Sequence, residues 1–203
     1  KAIKGSFSID PAVFKDDNED YYMYFGGLWG GQLQRWKTGV FNATQPDSPT
    51  AFIPNANEPA LLPFVAKMSD NLLEFAEEPK ELQILDENGQ LLKSGDTDRR
   101  FFEAAWMHKR NGLYYFSYST GDTHFICYAI GDNPYGPFTY QGKILNPVVG
   151  WTSHHSICSV KGKDYLFYHD SSLSKGITHL RSIKMTEIKY RDDGTIVTIN
   201  PYG

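Results

Sequence analysis

Glu103–Thr120 reads "EAAWMHKRNGLYYFSYST". An apolar-rich run leads into the polar turn Lys109-Arg110-Asn111-Gly112, and a second run rich in aromatics follows. Asn-Gly between two such runs is a strong short-range signal for a β-hairpin, because both residues tolerate the positive φ of a two-residue turn. Two further stretches carry the same pattern. Asp10–Gly26 reads "DPAVFKDDNEDYYMYFG", with its turn at Asp16-Asp17-Asn18-Glu19. His154–Asp170 reads "HHSICSVKGKDYLFYHD", with its turn at Lys161-Gly162-Lys163. Repetition of one supersecondary unit identifies a repeat architecture before any single element does.

Each hairpin is followed by a further strand candidate, at Gln32–Lys37, Phe125–Ile130 and Thr178–Lys184. Outer strands are expected at Thr139–Ile144 and Thr195–Asn200. The repeating unit is therefore four antiparallel strands, which is the blade of a β-propeller. The second and third units begin at residues 103 and 154, one ordinary blade apart, whereas the first begins at residue 10. The surplus, residues 38–100, is rich in Pro, Asn, Asp and Glu and reads as outer strands of the first unit plus a long insertion. Only Asp70–Glu77 hints at a short helix. Residues 1–203 thus read as one partial propeller domain of about three blades.

The repeat aligns three ionisable side chains. Asp10, Glu103 and His154 each lie 12 residues before the equivalent positions Tyr22, Tyr115 and Leu166. Each opens the first strand of its unit, and the first strands of propeller blades line the central axis, so the three are expected to converge in one hollow. Turn chemistry alone could place an Asp or a His there. It accounts poorly for Glu103, which follows Phe101-Phe102. A carboxyl in aromatic surroundings is in the setting that raises a pKa.

Composition narrows the function further. The 203 residues carry a net charge of −4 with no basic cluster, which excludes a phosphate-tracking nucleic-acid binder. No apolar run is long enough to span a membrane. Lys1–Gly5 lacks the apolar core of a signal peptide, and localisation is left open. Cys127 and Cys158 sit inside strand candidates without metal-site spacing and are expected to be small buried hydrophobes. The aromatic content of 15% suits both strand cores and sugar-stacking surfaces. Trp106 reads as core by period 2. Trp29 and Trp151, in Gly-rich loops, read as substrate contacts, with Phe102 beside them.

The motifs "SIDPAVFKDD…YYMYFGG", "FFEAAWMHKRNGLYYFSYS" and "SHHSICSVKGKDYLFYH" resemble glycoside hydrolase family 43, in particular its β-xylosidase and α-L-arabinofuranosidase branch. "GGLWGGQLQ" and "RSIKMTEIKYRDDGTI" are similar to that branch too. The resemblance covers essentially the whole chain. It implies a five-bladed β-propeller and hydrolysis of glycosidic bonds with inversion, as by an exo-acting enzyme on xylan-derived oligosaccharides. It implies Glu103 as general acid and Asp10 as the carboxylate that tunes and orients it. His154 would be the axial histidine, near a water or a divalent cation such as Ca2+ in the central channel. His155 is the alternative if the alignment slips by one, and Arg181 matches a pocket position more loosely. The family's general-base Asp belongs to a first blade that would precede Lys1. The resemblance therefore implies that about two blades lie outside this sequence, or come from a partner such as a second copy. The 203-residue chain alone is then expected to be inactive. The alternative reading is a non-catalytic propeller fragment that binds carbohydrate or protein.

Overall fold

The computed structural model describes residues 9–27 and 54–203, and these form three β-sheets. The first contains β1 (Ala12–Lys15), β2 (Tyr21–Phe25), β3 (Phe64–Lys67) and β4 (Lys80–Glu81), in that order. The second has the order β5-β9-β8-β7-β6. Its strands are β5 (Ile84–Leu85), β6 (Glu103–Arg110), β7 (Leu113–Ser119), β8 (Ile126–Gly131) and β9 (Phe138–Leu145). The third contains β10 (His155–Val160), β11 (Lys163–Asp170) and β12 (Ser182–Glu187). The only helical turn among the described residues is a 3-10 turn at Gly121–Thr123.

The three hairpins form where the turn chemistry places them. Asn111 and Gly112 adopt φ of 50° and 78°, and Lys161 and Gly162 adopt 51° and 77°. Positive φ at both central residues matches the right-handed twist of the flanking strands. The wider first turn closes through Asp16 N–H to Asp20 O at 2.8 Å. Its Asp16 carboxylate then reaches the second sheet, accepting from Lys109 Nζ at 2.7 Å and Tyr114 OH at 2.6 Å.

The second sheet is the middle layer. Along β7, Tyr114, Phe116 and Tyr118 face the first sheet and join Tyr24, Val65 and Phe138 in one core. Tyr115, from the opposite face, joins Ile157, Leu166 and Tyr168 in a second core. Strand period 2 alone produces this division, and a strand buried on both faces reads as a continuous aromatic run. Trp106 is partly buried against the second core, as period 2 predicts.

Several details differ from the sequence reading. The third place in the first sheet belongs to β3, which pairs with β2 through Tyr22 opposite Lys67; Gln32–Lys37 lies outside the described residues. Asp70–Glu77 is a turn, not a helix. Ser69 Oγ bonds the Asn71 side chain at 2.7 Å, Ser69 N–H donates to Glu74 O, and Leu72 sits at φ 59°. Side chains that bond their own neighbouring backbone compete with helix in this way. The strand expected from Thr178 begins at Ser182, after a turn.

The third sheet has three strands, not four. Thr195–Asn200 turns away to the outer edge of the second sheet, where Ile199 N–H donates to Ile144 O at 2.8 Å and accepts at its carbonyl from Asn146 N–H at 3.0 Å. β5 covers the other half of that edge, pairing parallel with Phe138 and Thr139. Two short segments thus occupy an edge that would otherwise template aggregation. Cys127 is fully buried, but Cys158 is exposed. Its neighbour Ile157 takes the core-facing side of β10, which turns Cys158 to the opposite face.

Candidate active site

A hollow of about 710 Å3 opens where β1, β6 and β10 begin. Asp10, Glu103 and His154 all line it. Residues 93 and 144 positions apart in sequence converge because equivalent strand starts of three sheets point to one end of the molecule.

The backbone at this end is specialised. The β6–β7 register shifts between Glu103 and Trp106, a β-bulge with Ala104 at φ 61°. A bulge re-aims the side chains around it. Here it leaves Glu103 opposite Ser119 and directs the Ala104 N–H to Asp10 Oδ2 at 3.1 Å. Asp10 itself sits at φ 52°, just before β1. Non-glycine residues at positive φ cost energy and persist where surrounding structure holds them. His154 Nδ1 lies 3.8 Å from Asp10 Oδ1, so the same carboxylate faces both a backbone donor and an imidazole.

Close approach demands glycine beside the site. A Cβ on Gly121, at φ 71°, would lie 2.2 Å from Phe102 Cγ. The Phe102 ring is therefore stacked directly on the 3-10 turn, forming one wall of the hollow.

Glu103 is the electrostatically distinctive group. Its carboxyl is pushed up from 4.5 to about 7, first by burial and then by the Asp10 and Asp122 carboxylates, with the Arg181 guanidinium pulling the other way. It stays protonated to near neutrality, while its neighbours supply opposed fields. A protonated carboxyl in a hollow that also holds a carboxylate can donate a proton to a bound oxygen. Burial is the larger cause, and like-charge repulsion from the partly buried Asp10 adds to it.

The remaining expectations fall out unevenly. Phe102, Trp151 and Arg181 line the hollow; Trp151 is 68% exposed, and Arg181 Nε is tied to Thr178 O at 3.1 Å. His155 does not line it. It is 3% exposed and its Nε2 bonds Ser117 Oγ at 2.7 Å, beneath the sheet interface. His155 opens β10 with its side chain in the sheet interface, while His154, just before the strand, lines the hollow. Trp29 lies outside the described residues.

Asp122, His124 and His169 also line the hollow and carried no sequence signal of their own. His169 was legible in principle. His155 pairs with Tyr168, so hairpin register places residue 169 beside His154. Among the described residues no group of three or more His, Cys, Asp or Glu side chains is placed to hold a metal ion. No helix among them is long and apolar enough to cross a membrane.

Residues 64–196 match the family model described as glycosyl hydrolases family 43. The chain is 60% identical to a xylosidase/arabinosidase of Bacteroides ovatus over 197 residues, 97% of this chain and 59% of that protein. It is 59% identical to a xylosidase/arabinosidase of Humicola insolens, over 98% of this chain and 61% of the relative. A β-xylosidase/α-arabinofuranosidase of the same family from a compost microbial metagenome, solved with xylotriose in a calcium-free form, superimposes with a TM-score of 0.90. That structure shares 64% identity, over 98% of this chain and 60% of the solved one. The chain thus spans about three fifths of the length of the relatives it matches. The three sheets are blades of the five-bladed propeller of these enzymes, and the chain belongs to glycosyl hydrolase family 43.

Proposed function

We propose that the complete protein containing this chain is an inverting exo-glycosidase that releases xylose or arabinose from xylan-derived oligosaccharides. One observation carries this reading: Glu103, protonated to near neutrality, faces a hollow it shares with Asp10. In the proposed reaction Glu103 gives its proton to the glycosidic oxygen as the bond to the anomeric carbon breaks. A water attacks that carbon from the opposite face and loses a proton to a second carboxylate, inverting the centre. Inverting sites separate the two carboxyl groups by about 6.5–9.5 Å to admit that water. We assign the base to a carboxylate outside the 203 residues. Asp10 holds Glu103 in place through the bulge and disfavours its ionisation.

Arg181 and Phe102 fit roles at the sugar, and the exposed Trp151 ring offers a stacking face for it. A Ca2+ ion beside His154 would have to rely on waters or on further groups, since hard cations take several oxygen ligands and no cluster of three is present among the described residues. No step is assigned to it.

The test is an activity panel on the full-length protein, comparing an aryl β-D-xyloside with an aryl α-L-arabinofuranoside. Hydrolysis of either is expected. Glu103→Gln is expected to lose at least about a hundredfold on xylobiose and much less on a glycoside whose leaving group needs no proton. Residual activity above about a tenth on xylobiose rejects Glu103 as the acid. Binding of xylotriose without turnover by the full-length protein favours the non-catalytic reading.

A further inference from the structure

His169 is the penultimate residue of β11 and stands on the wall of the hollow. Its backbone is clamped twice by one hydroxyl: His169 N–H donates to Ser153 Oγ at 3.1 Å, and Ser153 Oγ donates to His169 O at 2.9 Å. Its ring is held as well, because the His154 N–H donates to His169 Nε2 at 3.0 Å. A ring nitrogen that accepts an N–H carries no proton, so the imidazole proton resides on Nδ1. That Nδ1–H has no hydrogen-bond partner among the described residues, and it is not enclosed by protein. The ring is thus a fixed single donor, uncharged while Nε2 accepts, with its backbone, tautomer and orientation set by Ser153 and His154.

We propose that His169 touches the substrate, its Nδ1–H donating a hydrogen bond to one hydroxyl oxygen of the pentose bound in the hollow. The inference rests on the glycosidase reading and adds a specificity residue to it. The physical reason is an exchange of partners. A sugar entering the hollow displaces the water on Nδ1–H, and a donor left unpaired in a desolvated site carries its full desolvation penalty. A hydroxyl oxygen restores the bond, whereas a substrate lacking that hydroxyl does not. Sites built this way reject the deficient analogue more strongly than hydrophobic pockets reject size differences. Prior fixation of the ring means little entropy is lost when the bond forms.

The experiment uses the full-length protein and the aryl pentoside it cleaves, with the monodeoxy analogues of that sugar. His169→Gln keeps an acceptor for the His154 amide but lacks a donor at the Nδ1 position. It is expected to lose about tenfold to a hundredfold in kcat/KM on the parent glycoside. On one deoxy analogue the loss should shrink to less than about threefold, since the partner is already gone. His169→Asn, which returns a donor near Nδ1, should recover part of the loss on the parent. Equal losses on every analogue mean a merely structural role and overturn the inference, as does a Gln variant within about threefold of wild type on the parent. If either variant fails to fold, nitrogen-15 NMR of histidine-labelled wild type decides. The Nδ1–H tautomer, shifting on addition of xylotriose, is expected; an Nε2–H tautomer or an unmoved signal refutes. Wild-type turnover is scored separately: if no pentoside is cleaved, the glycosidase reading fails and the inference falls with it.

Discussion

Glu103→Gln should make the protein more stable, and only above a predictable pH. In the fold the Glu103 carboxyl is raised from 4.5 to about 7. At about 1.4 kcal/mol for each tenfold step, ionised Glu103 is up to about 3 kcal/mol costlier in the folded protein than in water. The sign follows from proton binding. Below the ordinary carboxylate range both folded and unfolded chains hold the proton, and Glu103 is neutral in its effect. As pH rises from about 4.5 to about 7 the unfolded chain releases its proton first, so unfolding gains and stability falls. Above about 7 the deficit is complete and constant. Gln has the same shape and no charge to desolvate, so it removes the deficit. The assay is urea unfolding of wild type and variant across that range, in which titrating groups not coupled to Glu103 cancel from the difference. Equal stability is expected at about pH 4, with the variant ahead by up to about 3 kcal/mol at about pH 8. A difference that does not change with pH, or a variant less stable at the higher pH, refutes the assignment of a buried, reluctantly ionised carboxyl. Such a group is a stability cost retained for chemistry.

The rate of hydrolysis by the full-length protein should fall as pH rises through about 7, where Glu103 loses its proton. Asp10→Asn should move that limb to lower pH, because Asp10 is the second cause of the elevation and burial, the first, is unchanged. A limb that stays in place would show that Asp10 does not act on Glu103. Gly121→Ala combines a positive φ with a methyl 2.2 Å from Phe102 Cγ, and should cost about 2 kcal/mol or more in denaturation while raising KM by displacing that wall. An unchanged melting temperature would refute the close packing of Phe102 on the turn.

Local chemistry accounts for what could be read from the chain. Asn111-Gly112 and Lys161-Gly162 specify tight turns because few residues accept positive φ, and aromatic runs with period 2 specify which faces bury. Since equivalent hairpins repeat, their starting residues share a structural position, and Asp10, Glu103 and His154 were legible together. The misreadings arose where non-local packing decides. His155 sits one residue from His154, yet it packs under the sheet against Ser117, 38 residues away in sequence. Cys158 looked like core, but no described element covers its face.

The amino-acid sequence by itself determined the hairpins, because a hairpin depends on neighbours a few residues apart, and their repetition gave three strand starts one shared structural position. Tertiary structure alone decided three things. The bulge at Ala104 binds Asp10; burial outweighs the Asp10 charge in holding the proton on Glu103; and the His154 amide fixes the tautomer of His169. Each depends on which surfaces exclude water and which distant groups come within hydrogen-bond reach, and those distances exist only once the sheets have packed.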